Sequence, residues 1–305
     1  MARWVPLAGE EGEKMKEYIA IDLGGTNVRI ATINEQFEIK DLHKEATGQN
    51  AILSQLVRLI REQGKEGQVQ GIGIGIPGVV DKEGKIHYIS NIPGLENVGL
   101  EKELTDHTGL PVSVINDGSA AALAEARLGA GKGYESVYYV TVSTGIGGGY
   151  VYQGKLIPGA AGYAGEIGGT VVSRNQKESF RGLYPGAIEG ISAGDALTER
   201  GSRLCGRTLA HAGEVFDAAR KGEGWAVSLT GQMAQDLAVM LAGISFAVNP
   251  DIFVLGGGCM KGADCFYDKM KAYYLEMTPE GLHGTGFARA ELEEPGLLGA
   301  VIPVL

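Results

Sequence analysis

Cysteine is scarce in this chain. Cys205, Cys259 and Cys265 are the three present in 305 residues. They are too few and too scattered for a disulfide framework or a cysteine-rich metal site, so they read as reduced thiols in or near a core. Long apolar runs are also missing; none approaches the ~18 residues of a membrane span. The first sixteen residues, MARWVPLAGEEGEKMK, hold no continuous apolar stretch of the signal-peptide kind. A cytoplasmic protein without a membrane partner is expected. Positive charge is in deficit, with 27 Lys+Arg against 37 Asp+Glu and a net charge of −10. That balance disfavours a nucleic-acid partner, which requires a basic face. A small phosphate-bearing ligand stays open, because backbone amides bind phosphate without Lys or Arg.

Glycine is abundant, at 49 residues where an average usage of about 7% gives roughly 21. The excess clusters at turns after apolar strands, where a missing side chain lets backbone approach a ligand. Residues 18–33, YIAIDLGGTNVRIATI, read as strand, glycine turn, strand. A third strand is expected near 37–42. Helical spacing of Ile52, Leu56, Leu59 and Ile60 predicts a helix over 51–62. VQGIGIGIPGVV (69–80) reads as a strand running into a turn, 100–108 as a short helix, PVSVI (111–115) as a strand and 119–128 as an Ala-rich helix. The opening pattern returns at 137–152, VYYVTVSTGIGGGYVY. Helices at about 192–201, 213–221 and 226–248, a strand at 251–258 and a helix at 263–277 follow. The apolar tail 295–305 needs a surface to pack on. Strands alternating with helices imply an α/β fold, and the repeated unit implies two related halves. The boundary is placed near residue 117, with a cleft at the join.

Three glycine turns close apolar strands. In the first, Gly24 and Gly25 can present N–H groups to a phosphate and Thr26 its hydroxyl, while Asp22 can hold Mg²⁺ through water. Ser143-Thr144-Gly145-Ile146-Gly147-Gly148-Gly149 offers a second set, and Gly256-Gly257-Gly258 a third. One such turn is commonly a tight β-turn; three in sequence point to a phosphate cradle. No G-x-x-x-x-G-K-[ST] occurs. A G-x-G-x-x-G at Gly73, Gly75 and Gly78 runs into Pro77 and a second strand rather than a helix, so it does not carry the dinucleotide fingerprint.

Asp117 ends the 111–115 strand in Asn116-Asp117-Gly118. Asp before a helix can be an N-cap. A carboxylate here can equally take the proton of a sugar hydroxyl attacking a γ-phosphate. None of the five histidines lies in a glycine-rich or strand-end context, which favours a carboxylate base.

From about residue 17 to the C-terminus the chain resembles the ROK family (repressor, open reading frame, kinase) of actin-like sugar kinases. DLGGTN at 22–27 is similar to its first phosphate motif, NDGSAAALAE at 116–125 to its N-D-x-x-x-A-A-x-x-E signature, STGIGGG at 143–149 to its second phosphate motif, and LGGG at 255–258 to its adenosine segment. AGEIG at 164–168 and IEG at 188–190 resemble segments that supply two sugar-binding glutamates. The resemblance implies a two-domain actin-like (ribonuclease H-like) α/β fold, with domains at 17–117 and 118–294 and the last helix, 295–305, returning to the first. It implies transfer of the ATP γ-phosphate to a hexose hydroxyl, usually the 6-hydroxyl, with Mg²⁺ as cofactor, in a homodimer. By position, Asp117 is the base. Gly78, Asn91, Asn116, Glu166 and Glu189 join it at the sugar. Asp22, Gly24, Gly25, Thr26, Asn27, Thr144, Gly145, Gly147, Gly257 and Gly258 serve the nucleotide.

The sequence departs from the family where most members carry a zinc site. Between Glu166 and Glu189 lie 22 residues without histidine or cysteine. Gly169 replaces the family's sugar-contacting histidine, and SRNQKESFRGLYPGA replaces its cysteine segment. A zinc-free site is expected, with 173–187 ordered by packing of Phe180, Leu183 and Tyr184 or mobile until sugar binds. The lost histidine also leaves room for a modified hexose such as a β-glucoside, allose, fructose or an N-acetylhexosamine. Two other readings are weaker. A repressor of the same family carries a DNA-binding segment ahead of the phosphate motif, and only 21 residues precede Asp22 here. A non-catalytic sugar-binding protein fits poorly with Asp22, Asn116-Asp117 and the three turns.

Overall fold

In the computed structural model, which describes residues 15–48, 51–64, 69–89, 92–180 and 182–305, the chain builds two five-stranded sheets of matching order. The first half runs β1 (Glu17–Leu23), β2 (Asn27–Asn34), β3 (Ile39–Ala46), α1 (Ile52–Gln63), β4 (Val69–Ile76), a short hairpin of β5 (Val79–Val80) and β6 (Ile86–Tyr88), α2 (Leu100–Thr108), β7 (Val112–Asn116) and α3 (Asp117–Arg127). The second runs β8 (Ser136–Val142), β9 (Ile146–Tyr152), β10 (Lys155–Leu156), α4 (Glu189–Ser192), α5 (Gly194–Cys205), α6 (Gly213–Arg220), α7 (Gly224–Val248), β11 (Ile252–Gly256), α8 (Tyr267–Met277), β12 (Gly286–Arg289) and α9 (Pro295–Val301). The sheet orders are β3-β2-β1-β4-β7 and β10-β9-β8-β11-β12. Each has an antiparallel meander on one side and parallel strands on the other.

Both sheets are covered on both faces, so their strands are nearly continuous in buried apolar residues. In the first, Ile19, Ile21, Ile72 and Ile74 pack with Leu56, Leu59 and Leu104 of α1 and α2. On the other face Tyr18, Ala20 and Ile33 pack with Leu297, Leu298 and Val301 of α9. The alternation VQGIGIGI explains the difference between the faces. With period two, the isoleucines point to one side and the glycines to the other. A Cβ on Gly73 would lie 2.0 Å from the carbonyl oxygen of Ala300, so only glycine lets α9 lie directly on β4. The second sheet repeats the arrangement. Val140, Phe253 and Leu255 pack with Met233, Leu237 and Met270, while Val137, Tyr139 and Val254 face Ala121 and Ala122 of α3. A Cβ on Gly149 would lie 2.6 Å from that of Ala122.

α3 and α9 therefore lie between the two sheets, and they touch each other just as closely. A Cβ on Gly299 would sit 1.7 Å from the Ala120 carbonyl oxygen. Glu125, fully buried on α3, accepts backbone N–H bonds from Ala130, Glu291 and Leu292 at 3.0, 3.0 and 2.9 Å. It fastens the segment entering α9 to the end of α3.

Three local expectations shift and one strand was not foreseen. The third strand starts at Ile39, because Phe37 takes a left-handed turn conformation (φ 63°). The helix expected at 192–201 is two helices, α4 and α5, broken at Ala193, whose ψ of 164° is extended. The helix expected from 263 begins as a separate 3₁₀ segment, Gly258–Cys265, before α8. β12 is a four-residue, partly exposed edge strand, GFAR, with too little alternation to predict. Among the described residues, α7 is long and apolar enough to cross a bilayer by length and composition, although no uninterrupted apolar run of that length exists. Leu229, Met233, Leu237 and Leu241 of α7 are buried in the second core.

Candidate functional site at the cleft

The first glycine turn joins β1 to β2. The Gly24 N–H donates to the Asn27 carbonyl at 2.9 Å, which closes the turn; that N–H therefore does not face a ligand, contrary to expectation. The Thr47 hydroxyl binds the Gly24 carbonyl at 2.7 Å, and the Thr47 N–H binds the Thr26 carbonyl at 3.0 Å. Thr26 itself is exposed at the apex, beside Gly25. Asp22, opposite Arg29 in the hairpin register, accepts from that guanidinium through Nε at 3.1 Å and through Nη2. Arg29 also pairs with Glu294 at 2.5 Å, just before α9. Arg29 and Glu294 were not anticipated. The signal in the sequence was Arg29 seven residues after Asp22, which a tight hairpin places directly across from it.

At the end of β7, Asn116 and Asp117 divide two tasks. Asn116 is the N-cap of α3, its Oδ1 accepting the Ser119 N–H at 3.0 Å, while its Nδ2 donates to the Gly78 carbonyl at 2.9 Å. The capping role open to Asp117 in the sequence thus falls to its neighbour. Gly78 has φ 140°, and a Cβ there would lie 2.2 Å from the Tyr88 carbonyl oxygen, so this turn admits only glycine. Asp117 opens α3, with the Gly118 N–H on its Oδ1 at 2.8 Å. Its carboxylate is open to solvent on the cleft side, yet protein crowds it on the others. That crowding withholds water and pushes its pKa up to about 6; the Gly118 bond opposes the shift, and the charges of Asp22 and Glu166 add to it. Asn91 lies outside the described residues.

Glu166 and Glu189 come from opposite ends of the segment that replaces the zinc motif. Burial, then the charge of Glu189, raises the Glu166 pKa, which brings the two carboxylates into one electrostatic neighbourhood. Glu189 also reaches the second glycine turn. Its Oε2 accepts the Ile146 N–H at 2.8 Å, and a Cβ on Gly145 would come within 2.5 Å of it. Between the glutamates the chain is ordered by its own bonds. Val171 pairs with Ala187, the Val172 N–H binds the Gly186 carbonyl at 3.0 Å, and the Ile188 N–H binds the Thr170 carbonyl at 2.8 Å. Phe180 lies against Gly190, where a Cβ would be 2.9 Å away. Tyr184, by contrast, is 73% exposed and is not part of that packing. Among the described residues no three His, Cys, Asp or Glu side chains gather as a metal cage.

The second turn, with Thr144 exposed at its apex, opens onto a cavity of ≈ 490 Å³. Gly258 of the third turn lines the same cavity, and Asp195, Thr198, His211 and Lys261 complete it. Gly257 beside it has φ 91°, and a Cβ there would lie 2.4 Å from the Val142 carbonyl oxygen. These four lining side chains escaped sequence reading, His211 because it sits in a loop before α6 rather than at a strand end. Gly147 stands further along β9.

The arrangement thus sets the Asp117 carboxylate, two neighbouring glutamates and two glycine turns with exposed threonines at their apices around a cleft, with a cavity of nucleoside size beside the second turn. The hard oxygen donors of Asp22 and Asp117 suit a hydrated Mg²⁺, an ion that keeps most of its waters and rarely needs an all-protein cage. Comparison with known proteins gives the family and the fold. The glucokinase of Thermotoga maritima is 30% identical over 302 residues, covering 92% of this chain and 95% of its own. A ROK hexokinase structure from Thermus thermophilus superposes with a TM-score of 0.83 at 32% identity, covering 93% of this chain and 96% of its own. A ROK glucokinase from Streptomyces griseus, solved with glucose and AMPPNP, gives 0.73 at 26% identity, with 93% and 97% covered. A sequence model of the ROK family matches residues 18–304, the whole of both halves and the cleft between them, and the chain belongs to the ROK family, with the actin-like ATPase fold of its sugar kinases.

Proposed function

We propose that the protein is an ATP-dependent hexose kinase that phosphorylates glucose or a close relative, usually at the 6-hydroxyl. The observation that carries this reading is Asp117, freed from capping by Asn116 and held in the cleft with its pKa near 6. A base of that strength is mostly ionised at neutral pH and still accepts a proton readily. In the reaction the Asp117 carboxylate takes the proton of the sugar hydroxyl. The hydroxyl oxygen bonds to the γ-phosphorus as the bond from phosphorus to the β–γ bridging oxygen breaks, releasing ADP.

Glu166, Glu189, Asn116, Asn91 and the Gly78 turn orient the sugar hydroxyls. Thr26, Gly25, Asn27 and the Gly24 turn face the phosphates from the first half; Thr144, Gly145 and Gly147 face them from the second. Gly257, Gly258 and the cavity beside them take the nucleoside. Asp22 would hold Mg²⁺ through water, and the ion would supply neutralisation of the charge on the transferring phosphoryl group. In this reading residues 17–117 with the returning tail, and 118–294, are two domains that close on the sugar. A kinase drawing on ATP works in the cytoplasm, and a homodimer and the absence of a zinc site belong to the same reading.

A second acceptor class is favoured by one observation. Nothing lies within 4 Å of where a Cβ on Gly169 would be, three residues from Glu166. That space accommodates a substituent, so β-glucosides, allose, fructose and N-acetylhexosamines compete with glucose as substrates. ADP release with Mg-ATP across such a panel tests both readings, with Asp117→Asn as control. Turnover that the variant loses supports the kinase, and the preferred sugar decides between the acceptors. No turnover on any sugar defeats the reading.

A further inference from the structure

α4 is a single turn, Glu189–Ser192, yet it carries one of the two cleft glutamates. So short a helix has no cooperative stability of its own. Its placement comes from one buried and one partly buried anchor. Ser192, fully buried, donates from Oγ to Oδ2 of Asp236 on α7 at 2.8 Å. Arg200 of α5 donates to the Ile191 carbonyl. Asp236 is 8% exposed; burial raises its pKa, and the Ser192 bond and the Arg200 charge work against that rise. A buried carboxylate is costly unless it is bonded, so this one is committed to the place it holds.

Both ends of the segment 189–195 grip the second glycine turn. Glu189 accepts the Ile146 N–H at 2.8 Å. At its other end the Gly194 and Asp195 N–H groups donate to the Ser143 and Thr144 carbonyls at 2.7 and 3.3 Å. Gly194 is pressed so close that a Cβ would lie 2.6 Å from the Ser143 oxygen. The segment is therefore a bridge that holds the turn from both sides, and its middle is pinned by Ser192 and Ile191.

We propose that Ser192, Asp236 and Arg200 are positioning residues that set Glu189 and the Ser143–Ile146 turn as one unit, so that sugar at the glutamate and nucleotide at the turn bind cooperatively. The proposal rests on the kinase reading of the site. Sugar drawn onto Glu189 changes the Ile146 bond and with it the turn. By linkage, the factor by which sugar tightens nucleotide equals the factor by which nucleotide tightens sugar.

The test uses the full chain with Ser192→Ala, Asp236→Asn and Arg200→Lys, each assayed well below its melting temperature. Met270→Ala, a fully buried core position on α8, serves as a control for stability alone. ADP release is measured on glucose, N-acetylmannosamine and N-acetylgalactosamine. AMPPNP affinity is then measured with and without the sugar that is turned over. Wild type is expected to bind AMPPNP several-fold tighter with sugar present. Ser192→Ala and Asp236→Asn bring that ratio toward one and raise both KM values about fivefold to tenfold together. Arg200→Lys does the same if either of those fails to fold, and Met270→Ala keeps the wild-type ratio despite a lower Tm. A wild type whose AMPPNP affinity ignores sugar overturns the proposal, as do bridge variants with wild-type ratios or a control that loses the ratio equally. Failure of the underlying reading looks different: wild type releases no ADP on any of the sugars, and the proposal falls with it.

Discussion

The two halves share a strand order but leave their fifth strands differently. β7 ends in Asn116 and Asp117 and turns at once into α3. β12 ends at Arg289 and runs through residues 290–294 before α9 begins. The first exit puts a carboxylate into the cleft. The second puts Glu294 against Arg29, which in turn holds Asp22. The glycine turns differ in the same spirit. Both are closed from within, by Gly24 N–H to Asn27 and by Ser143 N–H to Gly145, but the first is held from outside by Thr47 at the end of β3 and the second by residues 189–195. A repeated topology thus supplies a symmetric frame, and the cleft carboxylate Asp117 and the Arg29–Glu294 pair stand where the repeat is broken.

The deepest break of that asymmetry is Asp117→Asn. It removes the proposed base while Asn116 still caps α3, so kcat is expected to fall by about 10²–10⁴ with the fold intact. ADP release and a thermal melt check it together; a variant retaining a tenth of wild-type kcat would deny Asp117 the role of base. The pH dependence follows from the raised pKa. As pH falls through about 6, Asp117 takes up its proton and kcat/KM drops tenfold per unit. Stability moves the opposite way. The folded state holds this proton more tightly than the unfolded chain, so stability falls as pH rises from about 4 to about 6. Asp117→Asn escapes that loss, and its Tm should exceed that of wild type at pH 7 but not at pH 4.

The seam where the halves meet is nearly as sensitive. Gly299→Ala drives a methyl into the Ala120 carbonyl and is expected to cost about 3 kcal/mol. Gly243→Ala on α7, with nothing within 4 Å of the new methyl, should instead stabilise by roughly 0.4–1 kcal/mol. Denaturant melts of the two variants give the comparison directly, and equal effects would show that α3 and α9 are not tightly apposed.

The two glutamates separate next. Glu189→Gln weakens the bond to Ile146 as well as sugar contacts, so both the sugar and the ATP KM should rise, by about tenfold. Glu166→Gln should raise the sugar KM alone. If both variants leave the ATP KM untouched, Glu189 has no hold on the second turn. The smallest effect is expected in the segment between them. Arg203 pairs with Glu178 at 3.2 Å, but the side chains are 61% and 82% exposed. Arg203→Ala should shift stability by less than about 1 kcal/mol and leave sugar turnover unchanged.

Much of this was readable from residues in order. The alternation of VQGIGIGI, the strand–turn–strand units at 18–33 and 137–152, and Asp117 at a strand end are all local signals, and each lies where its period or turn chemistry places it. The fold class followed from them and from the ROK-like motifs. The edge strand β12 and the broken start of α8 were not legible, because four partly exposed residues and a 3₁₀ turn carry no period.

Local sequence therefore determined which strands, turns and carboxylates exist, since backbone conformation and side-chain alternation are decided within a few residues. Which of them takes which duty was decided by the bonds of the folded chain. Asn116 rather than Asp117 caps α3, Arg29 claims Asp22, Glu189 reaches the Ile146 amide and His211 lines the nucleoside-sized cavity. The first is a local cap and the second a pair across one hairpin, whereas Glu189 and Ile146, 43 residues apart, and the cavity around His211 come together only when the second half has folded.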